Sequence, residues 1–355
     1  MSDPKYIKGR GAQFNTHNPY LSSQFVKEHI EGIDEEETGK PETEYLTENP
    51  KKIVNKVDSP DIGHAYSMNP YQGCEHGCIY CYARNSHQYW GYSAGLDFER
   101  KIIVKPNAPQ LLEKQLSGRS WKPIPIMLSG NTDCYQPVER KMKITRAMLE
   151  VLLKFRHPVS IITKNALILR DLDLLTELNK YDLVHVNISL TTLNEDLRRK
   201  LEPRTASSRR RLETIAAISS NQIPVNVMVA PVIPGLNSHE IPHLVKAAAD
   251  QGAQSAAYVM VRLNGSIKDL FEDWVRKTFP DRAEKVLNQV RACHAGKLND
   301  SEWGRRMRGE GPEAMAISNL FKVARRKHLA GRSMKPLSTS AFRNKDFDQL
   351  DLFGS

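Results

Sequence analysis

The middle of the chain, from about residue 64 to 265, alternates short β-branched runs with segments whose apolar residues recur at helical spacing. The runs that we interpret as strands are 64–68, 124–128, 159–162, 183–190, 224–229 and 256–261. Segments between these strands carry apolar stripes, that is, apolar residues on one face of a predicted helix. The stripes are Met148, Val151, Leu152 and Phe155, then Leu172 and Leu175, then Leu212, Ile215 and Ala216, then Ile241, Leu244, Val245 and Ala248. Each stripe can pack on a sheet. Strands separated by helical crossovers indicate parallel pairing, which fits either a partial (β/α)6 barrel or a doubly wound open sheet.

The two ends of the chain differ from this middle part, for which we expect the bounds 61–266. Residues 1–60 are rich in Gly, Pro and acids, and the pattern predicts a mobile or wrapping arm. Residues 267–335 predict a helical extension, in which Cys293 continues an apolar stripe and is therefore expected to be a core thiol. Residues 336–355 are expected to form a flexible tail.

Composition and charge narrow the class of protein. The 355 residues are long enough for one large domain or two ordinary ones, and no run approaches the ~18 apolar residues of a membrane span. Five cysteines without a preceding apolar signal segment favour a soluble protein of the reducing cytoplasm. The net charge is +10, and residues 267–355 carry eighteen bases against twelve acids. Such basic clusters attract phosphate backbones, although most are solvated helix faces.

Three of the five cysteines, Cys74, Cys78 and Cys81, lie within eight residues. An ordinary iron–sulfur cube takes four thiolates, and Cys134 and Cys293 are too distant along the chain to belong to this loop. The spacing therefore indicates a cluster with one iron left open. A zinc site completed by a nearby histidine is the alternative, but closed zinc sites usually combine two cysteine pairs. A disulfide fits an odd, sparse cysteine count less well.

The cysteine loop resembles the signature of the radical SAM superfamily, in which an aromatic residue, here Tyr80, stands just before the last cysteine. The wider string 69–84 looks like the spore photoproduct lyase-related branch, often labelled DNA repair photolyases. The resemblance implies a partial barrel rather than a doubly wound sheet. It also implies a [4Fe-4S] cluster, bound S-adenosylmethionine and an external electron donor, with reductive cleavage to a 5′-deoxyadenosyl radical.

The resemblance also implies the residues that hold S-adenosylmethionine, and parallel βα folds place such residues at the carboxyl ends of their strands. Tyr80 would pack near the adenine, and Gly235 would back it from a turn after strand five. Lys164 and Ser189 fall on positions that contact the ligand. The segment with Ser129, Gly130, Thr132 and Asp133 occupies the place that holds the methionyl amino group. Ordinary roles as a loop aromatic, a surface lysine or a Pro-Gly turn are the alternatives.

Cys134 lies at the end of strand two, where spore photoproduct lyases use a cysteine to return a hydrogen atom to the product radical. In this sequence the thiol is displaced by about four residues from the family position, which here is Gly130. Cys134 is thus either the hydrogen donor or an inert strand-end thiol.

The last motif is at the C-terminus, where Gln349–Phe353 resembles the peptide by which bacterial repair proteins dock on the DNA sliding clamp. Its leucine and phenylalanine anchors could equally pack on the chain itself. The leading hypothesis is a radical SAM enzyme acting on nucleic acid, with a DNA lesion as substrate. Radical modification of a protein, RNA or small molecule, and a non-catalytic metal-containing repair adaptor, are the alternatives.

Overall fold

The computed structural model describes residues 7–21, 42–61, 63 and 65–344. Its strands are β1 (Glu44–Thr47), β2 (Val54–Lys56), β3 (Tyr66–Met68), β4 (Tyr71–Gln72), β5 (Lys101–Val104), β6 (Ile126–Leu128), β7 (Val159–Thr163), β8 (Val184–Ser189), β9 (Val225–Val232) and β10 (Ser255–Met260). Its α-helices are α1 (Leu96–Arg100), α2 (Ala108–Leu116), α3 (Glu139–Met142), α4 (Ile144–Lys154), α5 (Leu172–Asn179), α6 (Glu195–Leu201), α7 (Ser208–Ser220), α8 (Ile241–Asp250), α9 (Ile267–Thr278), α10 (Ala283–Ala292) and α11 (Gly311–His328).

The main sheet has the order β2-β3-β6-β7-β8-β9-β10, and all its pairs are parallel except β2 with β3. Each parallel strand pairs with the next parallel strand along the chain. The winding direction therefore never reverses, whereas a doubly wound sheet reverses it at a switch point. The fold is a partial barrel wound in one direction, as expected, and it is open between β10 and β2.

The helices of the barrel form where a cap and an apolar face coincide. The Asn194 side chain accepts hydrogen bonds from the first backbone N–H groups of α6, and the Ser207 side chain does so for α7. Such caps satisfy donors that the helix itself cannot satisfy. The predicted stripe of α8 is fully buried at Leu244 and Val245. Burying a side chain of this size stabilises the fold by about 1.5–3 kcal/mol.

The described part of the N-terminal region lies against the barrel. β1 pairs in parallel with β5, and β4 pairs with the other edge of β5, which gives a small second sheet beside the cysteine loop. The backbone N–H groups of Gly11 and Ala12 donate to the buried carboxylate of Glu99, at 3.1 and 2.8 Å. The described residues of the arm thus contact β5 and the Glu99 carboxylate.

The helices after the barrel form a second apolar cluster together with the loop. Phe271 and Trp274 of α9 and Leu287 of α10 belong to the cluster that contains Cys78 and Tyr80. α11 packs instead on α8. Cys293 is fully buried, which confirms its predicted place in the core. In the part of the chain that the structure describes, no helix has the length and apolarity to cross a membrane.

A loop between α10 and α11 bridges the open side of the barrel. The Met307 carbonyl accepts a hydrogen bond from the Met260 backbone N–H of β10, at 3.0 Å. On the other side, Asp61 accepts from the Gly304 backbone and the Arg306 guanidinium, both at 2.6 Å. We call Asp61, Arg262 and residues 303–308 the seam.

Candidate active site

The cysteine loop follows β3 and the two-residue β4, at the carboxyl end of the first parallel strand of the barrel. Gly73 and Gly77 adopt positive φ values of +78° and +67°, which glycine tolerates without strain. A Cβ on Gly77 would lie 2.8 Å from the Glu99 carboxylate. Glu99 is fully buried and paired with Arg84 at 2.5 Å, and Arg84 donates to the Cys78 carbonyl at 2.9 Å. The bend between the first two cysteines is therefore fixed by a buried ion pair.

The three cysteine thiols are close enough to affect one another electrostatically. Burial, then the charge of Asp133, then the neighbouring Cys78 and Cys81 raise the pKa of Cys74 well above its usual range. Burial also raises the pKa of Cys78 and that of Cys81. Among the described residues, no three His, Cys, Asp or Glu side chains are already arranged as a metal site. The fit to an iron–sulfur cluster accordingly rests on donor chemistry, since three soft thiol ligands share one loop.

His76, a candidate fourth ligand of a zinc site, is engaged in other contacts. Its Nδ1 lies 3.3 Å from Asp133 Oδ2, and its Nε2 lies 3.2 Å from the Asn165 amide nitrogen. Both ring nitrogens are thus used within the protein. His87, the other histidine near the cysteines that could complete a zinc site, packs edge-on against Phe98. Burial lowers the pKa of His87 to about 4.

Asp133 joins the ends of two neighbouring strands. It accepts hydrogen bonds from the Thr163 hydroxyl at 2.7 Å and from the Lys164 backbone at 2.8 Å. Burial alone would raise its pKa, but the charge and hydrogen bond of His76, with the Lys164 and Thr163 hydrogen bonds, lower it to about 2. The carboxylate holds the cysteine loop, β6 and β7 in register at one edge of the barrel.

The polar atoms of the 129–132 segment are largely used within the protein. The Ser129 hydroxyl donates to the Thr132 carbonyl at 2.6 Å and accepts from the Cys134 backbone at 2.7 Å. The Thr132 hydroxyl donates to the Tyr71 carbonyl, and the Gly130 carbonyl accepts from the Tyr82 hydroxyl. The segment lies beside the cysteine loop, and its role toward the methionyl group stays a prediction.

A buried ion pair, which the sequence analysis missed, connects three of the predicted site residues. Glu202 accepts hydrogen bonds from the Tyr80 hydroxyl and from Arg211. Arg211 also donates to the Ser189 carbonyl at 3.0 Å, which ties the pair to the end of β8. The Lys164 ammonium lies 6.0 Å from the centre of the Tyr80 ring. Tyr80, Lys164 and Ser189 are thereby gathered around one pair.

The electrostatics of this pair favour the ionised form. Burial alone would raise the pKa of Glu202, but the positive charges of Arg211 and Lys164 lower it to about 2. Arg211 is 1% exposed. Its helical phase could have revealed this, because it shares a face of α7 with the buried residues Thr214, Ile215 and Ile218.

Gly235 and Cys134, the two remaining predicted site residues, have neighbours other than this ion pair. A Cβ on Gly235 would contact the Gln289 side chain of α10, and its carbonyl accepts from Arg282 at 2.6 Å. Cys134 is fully buried in the apolar core with Tyr71 and Tyr135, and burial raises the pKa of its thiol. This enclosure favours the inert thiol, and the roles of both residues stay predictions. The tail motif Gln349–Phe353 lies outside the described residues.

A partial parallel barrel with three cysteines on the loop after its first parallel strand defines a radical SAM-type enzyme. Residues 68–248 match the family model described as the Radical SAM superfamily, and the chain belongs to that superfamily.

Two relatives and one solved structure illustrate what the chain is similar to. An uncharacterised protein of Mycobacterium tuberculosis H37Rv is 33% identical over 244 residues, which cover 68% of this chain and 72% of the relative. The Radical SAM Nalpha-GlyT isomerase of Pseudomonas phage M6 is 27% identical over 67% of this chain and 48% of the isomerase. The fold matches that of a spore photoproduct lyase complexed with dinucleoside spore photoproduct, with a TM-score of 0.59 and 16% identity over 85% and 86% of the two chains.

Proposed function

We propose that this radical SAM enzyme binds a [4Fe-4S] cluster through Cys74, Cys78 and Cys81, binds S-adenosylmethionine beside it, and acts on a lesion in DNA. The observation that carries the proposal is the position of the three thiols. They share one loop at the carboxyl end of the first parallel strand, where the other strand ends bring polar side chains. The cofactors, when bound, would supply one-electron cleavage of S-adenosylmethionine to a 5′-deoxyadenosyl radical that abstracts a hydrogen atom from the substrate.

The chain's own residues would bind and orient the ligand. Lys164 supplies a positive charge near Cys78 and Tyr80 that suits the ligand carboxylate, and among the described residues its ammonium makes no hydrogen bond or ion pair. Tyr80 offers an aromatic ring held by Glu202, and Ser189 lies at the end of β8. Residues 129–133 form the neighbouring wall, where we assign Ser129, Gly130, Thr132 and Asp133 to the methionyl end. Gly235 is assigned to the adenine end.

DNA as the substrate is supported by three observations. The fold match is a lyase complexed with dinucleoside spore photoproduct, the C-terminal part of the chain is basic, and the tail resembles a clamp-binding peptide. We also propose that Gln349–Phe353 binds the DNA sliding clamp and that an external donor supplies the electron. The proposed location of the enzyme is the cytoplasm. The isomerase relative favours one second candidate, in which the radical rearranges its substrate rather than reversing a lesion.

Anaerobic reconstitution tests the cofactor part of the proposal. We expect about four iron and four sulfide per chain, with release of 5′-deoxyadenosine on reduction. Alanine at Cys74, Cys78 or Cys81 should abolish both, whereas Cys293→Ala, which removes a buried thiol of the helical extension, should leave both unchanged. One zinc per chain without turnover would instead support a non-catalytic adaptor.

Irradiated DNA tests the substrate part. The reconstituted wild-type enzyme is incubated with ultraviolet-irradiated oligonucleotides under anaerobic, reducing conditions, and the photoproducts are quantified by mass spectrometry. Loss of one photoproduct that depends on S-adenosylmethionine supports a repair enzyme. Release of 5′-deoxyadenosine without salt-dependent DNA binding would contradict the DNA substrate and leave the cofactor proposal intact.

A further inference from the structure

One residue of the seam, Arg262, lies at the same edge of the barrel as the cysteine loop. Arg262 follows the carboxyl end of β10, and it interacts electrostatically with Tyr82, the residue after Cys81. The Tyr82 hydroxyl in turn donates to the Gly130 carbonyl at the end of β6. The open side of the barrel is therefore lined by the seam and by the residue next to the cysteine loop.

Arg262 is a partly buried cation that forms no ion pair within the described residues. Its Nε is buried and has no hydrogen-bond partner in the described part of the chain. Its Nη1 contacts only the Met307 sulfur, a weak acceptor, at 3.7 Å. Asp61, whose charge acts on Arg262, already accepts from Arg306 and Gly304. A desolvated charge without a partner is unfavourable, so an anion placed beside Arg262 would gain binding energy.

Two exposed aromatic rings accompany this cation, since Tyr82 interacts with it electrostatically and Trp303 belongs to the seam. Trp303 is 54% exposed, and the Arg306 guanidinium carbon lies 3.7 Å from the centre of its ring. Tyr82 is 50% exposed. An exposed aromatic face next to an arginine is the combination that single-stranded nucleic acids use, because bases stack on the ring and the phosphate accepts from the guanidinium.

We propose that the seam binds a strand of nucleic acid, with Arg262 donating to a backbone phosphate and a base stacked on Trp303. This rests on the proposed function in requiring a nucleic-acid substrate, and it adds the surface that receives the strand. The strand then enters the barrel from its open side, past Tyr82 and toward the cysteine loop.

Fluorescence anisotropy of the full-length protein with two labelled probes tests this. One probe is a ten-nucleotide oligothymidylate, and the other is an abasic strand with the same phosphates. Arg262→Gln should weaken binding of both probes about tenfold, because both carry the phosphate. It should also reduce the slope of log K against log salt by about 0.7. Trp303→Leu should weaken binding of the thymidylate about tenfold and leave the abasic probe unchanged.

Arg325→Ala is the matched control, because it removes an exposed positive charge from α11, outside the seam. It should bind both probes as the wild type does. Arg262→Lys should retain most of the affinity and guards against a folding defect in Arg262→Gln, and thermal unfolding checks every variant. If Arg262→Gln misfolds, the proposal is tested by Trp303→Leu alone, whose loss of affinity should be confined to the thymidylate probe.

Five outcomes would overturn the inference. Equal losses for Arg262→Gln and Arg325→Ala would mean general charge attraction, and a Trp303→Leu loss on both probes would exclude base stacking. Competition by inorganic phosphate as effective as by the oligonucleotide would assign the site to a small anion. Wild-type DNA binding with an unaffected Arg262→Gln would refute the seam alone. Turnover of S-adenosylmethionine without any DNA binding would refute both the seam and the DNA substrate.

Discussion

Replacing Glu202 by glutamine should destabilise the protein strongly and change how its stability depends on pH. Glutamine keeps an acceptor for Tyr80 and for Thr191, whose hydroxyl lies 2.6 Å from the carboxylate. It removes the negative charge that compensates Arg211, which is buried with it. Removing one partner of a buried ion pair costs about 3–5 kcal/mol because the other charge stays buried without compensation.

The pKa of Glu202 reflects the same ion pair. The folded-state pKa is about 2, against an ordinary value of 4.5. A carboxyl group with a depressed pKa contributes stability that is present above 4.5 and is lost as the pH falls from 4.5 toward 2. The difference corresponds to about 3 kcal/mol, which agrees in size with the cost of breaking the pair.

Urea denaturation of the wild type and of Glu202→Gln across this pH range tests the reasoning. At neutral pH the variant should lose about 3–5 kcal/mol of unfolding free energy. Toward pH 2 the two proteins should converge, because the wild type loses the contribution that the variant lacks. Glu213→Gln breaks an exposed pair with Arg209 on the same helix and should stay close to the wild type. Parallel curves for Glu202→Gln and the wild type would refute an ionised Glu202.

Three further predictions concern the cysteine loop, Cys134 and the tail. Gly77→Ala should lower the iron bound per chain, because the new Cβ would clash with the Glu99 carboxylate. Gly91→Ala is the control: Gly91 has a similar φ of +82° but no atom near the position of a new Cβ, so this variant should bind iron normally. Equal iron contents would contradict a fixed loop. Cys134→Ala separates the two roles of this thiol. Because Cys134 is enclosed in the core, 5′-deoxyadenosine release and product yield should both stay unchanged, whereas blocked or diverted product with intact 5′-deoxyadenosine release would make Cys134 the hydrogen donor. Deleting 349–355 should abolish binding to purified sliding clamp in a surface plasmon resonance assay, and undiminished affinity would exclude this docking mode.

Four of the six parallel strands, β7 to β10, were predictable because each is a run of five to eight residues rich in β-branched or apolar side chains. β3 and β6 are three residues long and were predicted as parts of the longer runs 64–68 and 124–128. β9, for example, alternates valines that are buried against the core. The missed strands β1, β2, β4 and β5 are two to four residues long, and β1 and β2 are mostly exposed. Such segments carry little hydrophobic periodicity, and their pairing partners are distant in the sequence.

The site was predictable to different extents for different residues. The cysteines are recognisable because their spacing within one loop is itself the chemical signal. Glu202 and Arg211 looked like members of a charged surface run, since Arg209 and Arg210 beside them are exposed. Burial of a charge depends on which partner the fold brings to it, and only the tertiary structure shows that Glu202 and Arg211 are buried against each other.

The sequence by itself determined the superfamily, the alternation of strands and helices, and which three cysteines share one loop, because these depend on local spacing and on residue chemistry. The tertiary structure decided that the barrel winds in one direction. It also decided that a buried ion pair holds Tyr80 near Lys164 and Ser189, and that Arg262 forms no ion pair in the part of the chain that the structure describes. These features depend on contacts between residues far apart in the chain, such as Asp61 with Arg306. Local periodicity carries no information about such contacts, because they are set by how the elements pack.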